Sequence, residues 1–460
     1  MVRHVTISYR LIFVVVLLWG TARTTFTFLT SGALADFAPD EASYQRALEL
    51  AGPAFSEPLW NGDEWSIRMY VVGRTLIEPA RLLLRLGLDP LTALRLLSTL
   101  YSIGSLVILL LIIRSARGGR PLHLLSFATL GILAFMTLPS HFLWGQLALR
   151  EASTEFWSLG AVASAVLLMN RSQHRVLIST ASILGIMLCL AFVYSSRSYV
   201  AVALALALVA TAALVVRRRL FVGAALLSAS VAGSFLGVTL LSGFGVPKQP
   251  ELSVPVEQPS TIEDLATPGP STETARPAAV PISSILPQTR NTLNPVTYLQ
   301  RASQQRVASA MGANSALDPN PCNQDQDQVS LVVCELLRLP AAVGWVMIRP
   351  IWPLDQTSEW SASATFASAE NWLWLVLVGL VCVAVATRKS LLPAVTFLAV
   401  TYTGFLMAGM ALMEGNLGTA FRHKSALLWS LCLVLALVGE RRNFRPGKNH
   451  SQDYPSQLTE

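Results

Sequence analysis

Long apolar runs alternate with short polar turns along most of the chain. A membrane-spanning helix needs about 20 predominantly apolar residues. Windows of that length predict ten spans, at 8–30, 92–113, 121–139, 154–170, 176–194, 199–216, 221–242, 370–387, 391–413 and 425–439. The pattern predicts an all-α, polytopic transmembrane helical bundle, with an N-terminal membrane region over 1–242 and a C-terminal one over 370–440.

The polar stretches between spans predict several loops. Residues 247–295 contain ten prolines and few aromatic residues, a composition typical of a disordered linker, inside a long loop over 243–369. Residues 329–353 are apolar but interrupted by prolines and too short for two full spans. They predict a re-entrant or interfacial hairpin, with a hairpin of two spans as the alternative. The first loop, 31–91, contains an amphipathic stretch at 67–87 that we expect to lie on the membrane surface.

Composition and charge fit this architecture. Only 13% of the residues are charged and 53% are hydrophobic, whereas about 25% are charged in a typical soluble domain. The net charge of +7 does not indicate nucleic acid, because most basic residues flank the spans. Their clusters all fall on one side if the spans alternate, and the positive-inside rule assigns that side to the cytoplasm. We therefore expect a multi-pass protein of the inner (plasma) membrane, with both termini and the tail 441–460 cytoplasmic.

The first span begins at Leu11 without a small-residue cleavage site soon after it, which indicates a retained span. Behind it stand three carboxylates in the first outer loop, Asp36, Asp40 and Glu41. One interpretation is a capped interfacial helix that begins near Asp40. Another is a group that acts as general base on an acceptor hydroxyl, or that binds Mg²⁺ or Mn²⁺ beside a phosphate.

Basic residues on the outer side form the second candidate group. They run against the positive-inside bias, so orientation does not explain them. Taken singly, each could snorkel to lipid headgroups. Taken together they predict a site for an anionic group, because arginine presents several donors and keeps its charge. The residues are Arg150, Arg197, Arg349, Arg422, His423 and Lys424.

Cysteine positions suggest one cross-link. Cys322 and Cys334 lie twelve residues apart in the long outer loop. In an oxidising compartment such a pair favours a disulfide, with two free thiols as the alternative. The remaining cysteines lie inside predicted spans and are typical packing residues.

Four short phrases carry a family resemblance: ADFAPDEASYQRA after the first span, LREAS in an outer turn, LRLPAAVGWVMIRPIWPLD ahead of Glu370, and GNLGTAFRHKSALLW late in the chain. In this layout the chain resembles bacterial integral-membrane glycosyltransferases of the GT-C class. The resemblance implies a polyprenyl-phosphate-linked sugar donor, a glycan acceptor and transfer at the extracytoplasmic face. It also implies that Asp40, Asp36 or Glu41 serves as catalytic base or metal ligand. No second acidic motif follows in a later short loop, which leaves metal dependence open.

Two other functions stay open. O-antigen-type polysaccharide polymerases and ligases also depend on outer-loop arginines. In that case basic side chains would stabilise a departing pyrophosphate and His423 would accept the acceptor proton. A lipid or solute transporter, or an envelope scaffold, is the further alternative. Against a transporter, the predicted spans place no charged residue at mid-depth except Arg23, and no inverted repeat is evident.

Overall fold

Ten helices of the computed structural model are long and apolar enough to cross a membrane. They confirm the predicted polytopic, all-α bundle. The structure describes residues 6–29, 40–60, 64–119, 122–123, 126–170, 176–216, 220–243, 299–300, 302–304, 306–307, 322, 327–351, 362–387, 393–415 and 417–438. The predicted linker 247–295, the tail 441–460 and Asp36 lie outside these residues, so the predictions made for them stay predictions.

The elements follow the chain in a simple order. One antiparallel pair of two-residue strands, β1 and β2, accompanies fifteen helices in the described part of the chain. The elements are β1 (Thr6–Ile7), α1 (Tyr9–Leu29), α2 (Asp40–Ala51), α3 (Glu64–Arg85), α4 (Pro90–Ala116), β2 (Leu122–His123), α5 (Phe127–Thr137), α6 (Pro139–Trp144), α7 (Glu151–Met169), α8 (Val176–Ser196), α9 (Ser198–Val216), α10 (Leu220–Gly243), α11 (Gln328–Ile348), α12 (Ala362–Ala386), α13 (Ala394–Met413), α14 (Leu417–His423) and α15 (Ser425–Val438).

The third predicted span, 121–139, is wrong as a spanning helix, because it contains only the 11-residue helix α5, and α6 begins at its last residue. α5 ends before Leu138, whose backbone is extended, and Pro139 then opens α6. A proline disfavours helical geometry in the residue before it, which explains the break. Thr6 pairs with His123 at one end, and Arg23 donates to the Phe142 carbonyl at the other. The two short helices therefore follow α1 for about 25 Å, at 1.5 Å per residue.

The predicted hairpin at 329–353 is wrong in its secondary structure. A single helix, α11, runs through Pro340 for 21 residues. The Asp327 side chain caps its start by accepting from the amides of Val329 and Ser330, both at 3.2 Å. Proline inside a membrane helix is tolerated where neighbouring groups compensate for the missing hydrogen bond. Pro340 therefore does not mark the turn that the sequence suggested.

A small core joins the first loop to the bundle. α3 contains the amphipathic stretch predicted to lie on the membrane surface, and it packs against α2, α4 and α8. Tyr44 and Leu48 of α2, Leu76 and Ile77 of α3 and Leu94 of α4 are buried together. This packing fixes the start of α2, where Asp40 lies, relative to α4.

The main core is centred on the last described helix. α15 packs against α4, α5, α7, α12 and α13. Its Trp429 is fully buried and stacks on Tyr402 of α13, with the ring centroids 4.5 Å apart. Gly131 lets α5 approach closely, because a β-carbon at that position would lie 3.0 Å from the Cys432 carbonyl oxygen. Small residues at such crossings are typical of membrane helix packing.

Candidate functional site

Seven ionisable side chains meet where several helices begin or end at one end of the bundle. We call them the Arg422 cluster: Asp40, Arg150, Glu151, Arg197, Glu414, Arg422 and His423. Asp40 and Glu151 are the first residues of α2 and α7, whereas Arg422 and His423 close α14. Carboxylates at helix starts and basic groups at helix ends are both stabilised by the helix dipole. The local sequence therefore favours these four residues at the helix ends where they lie.

Glu151 is the centre of the cluster. Its Oε1 accepts from Arg197 Nη2 at 2.5 Å and lies 2.9 Å from Arg422 Nε. Glu151 and Arg197 are both buried. The second carboxylate oxygen, Oε2, has no hydrogen-bond partner among the described residues. A single buried carboxylate thus holds two guanidinium groups beside each other.

Two further arginine contacts do not involve Glu151. In one the carboxylate is partly exposed, and in the other the acceptor is a backbone carbonyl. Arg422 Nη1 donates to Asp40 Oδ2 at 2.7 Å, and 47% of the Asp40 side chain is exposed. Arg150 Nη1 donates to the Ser196 carbonyl at 2.7 Å, while its Nε has no partner in the described part of the chain. Burial lowers the pKa of Arg150. Burial also opposes the charge on Arg197, but Glu151 raises the pKa of Arg197 overall.

Only one ring nitrogen of His423, Nδ1, has polar partners among the described residues. Its Nδ1 is hydrogen-bonded to the Glu414 carboxylate and lies 3.0 Å from the Tyr199 hydroxyl. Its Nε2 is buried and has no partner among the described residues. If Nδ1–H donates to Glu414, Nε2 carries a lone pair and can accept a proton. Burial would raise the pKa of Glu414, but His423 and the nearby arginines lower it overall.

Glu41 lies beside this cluster but is fully occupied. Its carboxylate accepts from Arg95 at 2.7 Å (Nε) and 2.6 Å (Nη2), and from the Ala148 amide at 2.7 Å. Both side chains of the pair are almost fully buried. The geometry gives Glu41 a structural role, in contrast to the catalytic role that the sequence suggested for it.

Lys424 and Arg349 also differ from expectation. Lys424 is fully buried and donates to the carbonyls of Met347 at 3.2 Å and Arg349 at 2.8 Å, and to Asn371 Oδ1 at 2.6 Å. It therefore ties the end of α11 to α12, and does not face lipid headgroups. Arg349 contributes its carbonyl to that contact, while its guanidinium lies 5.8 Å from the centre of the Trp345 ring.

Part of the long loop 243–369 packs beside the Arg422 cluster. Cys322 and Cys334 form a disulfide, the pair proposed from the sequence. Next to Cys334, Glu335 accepts from Arg306 Nη2 at 2.5 Å and from the Ser303 hydroxyl at 2.6 Å. The Arg306 backbone in turn lies against Gly415, where a β-carbon would be 1.8 Å from the Arg306 carbonyl oxygen. The residue after Glu414 thus has to be glycine for this loop to reach the cluster.

Sequence reasoning missed a second polar group deeper in the bundle. His141 Nε2 lies 2.8 Å from Glu155 Oε2, and both residues are buried. Arg23 is fully buried nearby and donates to the Phe142 carbonyl at 2.8 Å. Glu155 lies one turn inside α7, near the helix start, so it does not contradict the expectation that Arg23 is the charged residue at mid-depth of the spans. The signal was the LREASTE spacing, which puts Glu151 and Glu155 four residues apart.

The described residues contain no group of three or more histidine, cysteine, aspartate or glutamate side chains that could hold a metal ion. No protein-family model matches the chain, and no curated protein sequence and no solved structure is significantly similar to it. The geometry of the Arg422 cluster is therefore the feature that indicates a function.

Proposed function

We propose that the chain is a membrane glycosyltransferase that uses a polyprenyl-phosphate-linked sugar at the extracytoplasmic face, in the synthesis of a cell-surface polysaccharide or glycoconjugate. The observation that carries this proposal is the meeting of three arginines with a Glu414–His423 pair in the Arg422 cluster. Buried guanidinium groups are costly unless they are paired. A site that gathers three of them is well suited to an anionic substrate group such as phosphate.

The chemistry follows from these positions. The bond between the sugar's anomeric carbon and the carrier phosphate oxygen breaks, and the acceptor hydroxyl oxygen forms the new glycosidic bond. The departing phosphate keeps the electron pair, and Arg197 and Arg422 stabilise its charge. The acceptor proton passes to a base, for which His423 Nε2 and the Asp40 carboxylate are the two candidates. Glu414 would orient the His423 ring and balance the charge that the ring gains.

A second function fits the same residues. In an O-antigen-type polymerase or ligase the leaving group is a polyprenyl pyrophosphate, which carries more negative charge. Three arginines in one cluster favour that larger leaving group, and His423 would again accept the proton. The two functions differ in which residue is indispensable, Asp40 for the transferase and Arg422 for the polymerase or ligase.

The surface glycan of the native host tests both functions. If the chain is a transferase, Asp40→Ala should abolish one sugar addition. If it is a polymerase, Arg422→Ala should leave single repeat units on the carrier while Asp40→Ala has a mild effect. Arg46→Ala is a matched control, because Arg46 is an exposed arginine of α2 that pairs only weakly with Glu49, at 3.8 Å. An unchanged glycan in both cluster variants would eliminate the two enzymatic functions and leave transport or scaffolding.

A further inference from the structure

The first residue of α2 combines a fixed backbone with an accessible side chain. Glu41, the next residue, is locked by Arg95 and by the Ala148 amide. The α2 start therefore cannot move without breaking a buried ion pair, which is costly. The Asp40 side chain is 47% exposed and makes a 2.7 Å contact with Arg422. Only a side-chain rotation is needed to separate Asp40 from Arg422.

The other carboxylates of the cluster cannot leave in this way. The side chains of Glu151 and Glu414 are 6% and 9% exposed, and each is bound to a basic side chain within the cluster. Arg422 keeps its contact with Glu151 if Asp40 turns away, so its position is maintained. The Nη1 group of Arg422 would then face the exposed side of the cluster without an acceptor, ready for another anionic oxygen.

We propose that Asp40 occupies the place of the carrier phosphate on Arg422 and that the incoming phosphate displaces it. The inference rests on the proposed function and adds an order of events to it. In the empty site the carboxylate neutralises Arg422 and blocks bulk anions. When the lipid-linked donor binds, its phosphate takes the Arg422 contact, and the released Asp40 carboxylate becomes available to the acceptor hydroxyl. The base would thus be exposed only after the donor has bound.

Removing the Asp40 carboxylate, which competes with the phosphate for Arg422, should tighten phosphate binding. The Asp40–Arg422 pair is partly exposed, and such pairs stabilise by a fraction of a kcal/mol, so we expect binding to tighten about 1.5- to 5-fold in Asp40→Asn. The opposite sign is expected for Arg422→Gln, which should weaken binding about 10-fold or more, as loss of a charged hydrogen bond does. A role of Asp40 in holding the phosphate, for example through a metal ion, predicts weaker binding in Asp40→Asn.

The test uses the full chain in nanodiscs of neutral lipid, with a fluorescent polyprenyl phosphate as the probe. Neutral polyprenol, inorganic phosphate and phosphatidylglycerol serve as competitors. Glu49→Gln removes another carboxylate from α2, which is 37% exposed, and controls for the change in net charge. Thermal unfolding of each variant verifies that it is folded.

Tighter binding in Asp40→Asn, with no change in Glu49→Gln, supports the inference. Equal tightening in both variants, or weaker binding in Asp40→Asn, overturns it while the proposed function stands. Competition by phosphatidylglycerol as strong as by the polyprenyl phosphate would assign the contact to ordinary lipid headgroups and overturn it as well. If neutral polyprenol competes as well as the phosphate in the wild type, both the inference and the proposed function fail.

Discussion

Replacing Glu41 by glutamine tests whether this residue is structural or catalytic. The carboxylate makes two charged hydrogen bonds to Arg95 and one to the Ala148 amide, all between 2.6 and 2.7 Å. Glutamine has nearly the same size but no charge, and its amide nitrogen would face donors where an acceptor is needed. Arg95 is only 1% exposed, so water cannot compensate for the lost partner.

The expected cost is large. Removing one member of a buried ion pair typically lowers the free energy of unfolding by about 3–5 kcal/mol. A folded domain is usually stable by only about 5–15 kcal/mol, so this loss is a substantial fraction of the total. The double variant Glu41→Gln/Arg95→Met removes the uncompensated charge, and it should recover most of the stability.

Equilibrium unfolding in mixed detergent micelles measures these differences, with tryptophan fluorescence as the signal. The reasoning requires a strongly destabilised single variant and a double variant near the wild type in both stability and activity. An unchanged stability in Glu41→Gln would refute the structural role. So would a double variant that is stable but has lost activity, since that result would make Glu41 catalytic.

Four further substitutions can be measured in the same micelles. Gly131→Val should lower the unfolding free energy by about 1–3 kcal/mol, because its side chain would meet the α15 backbone. Gly379→Ala is the control, because a β-carbon at that position would have nothing within 4 Å. Its unfolding free energy should be unchanged or higher by up to about 1 kcal/mol. Similar losses in the two glycine variants would contradict this reasoning. Lys424→Met should cost more than about 2 kcal/mol, because it removes the buried donor to the Met347 and Arg349 carbonyls and to Asn371 Oδ1. Loss of phosphate binding at unchanged stability would instead make Lys424 a ligand residue. His423 and the arginines lower the pKa of Glu414 below its ordinary 4.5 despite burial. The Glu414 carboxylate therefore contributes its full stabilisation above pH 4.5, and this stabilisation is lost as the pH falls through the lowered pKa. Glu414→Gln should flatten the fall in melting temperature below about pH 4.5, and an equally steep fall would refute the pairing.

Hydropathy predicted the class of the fold, because a run of about 20 apolar residues has few alternatives to a membrane helix. It failed where a proline had to be interpreted. Pro139 separates α5 from α6 at the end of a predicted span, whereas Pro340 leaves α11 continuous. A membrane helix can continue through a proline where neighbouring groups satisfy the freed backbone, and a hydropathy window contains no information about such neighbours.

The basic residues of the site were identified because positive charge on the predicted outer side needs an explanation. Their individual partners were not predictable. Successive helical residues point about 100° apart, which separates Arg422 from His423, and Lys424 lies in the turn between α14 and α15. Arg422 faces Asp40 and Glu151, His423 faces Glu414, and Lys424 faces the end of α11. A run of like charges in a sequence can therefore separate into unrelated contacts.

The burial of the last described helix has a consequence for how the protein is made. The stretch Leu417–Val438 is 83% buried, whereas α1, near the start of the chain, is 28% buried. Ribosomes release helices in chain order, so the segment that the others surround is inserted after them. Until then α4, α5, α7 and α13 must wait in the bilayer with their inner faces against lipid or an insertion chaperone. A chain released before Leu417 would lack both the centre of its core and Arg422, and would be a clear target for membrane proteases.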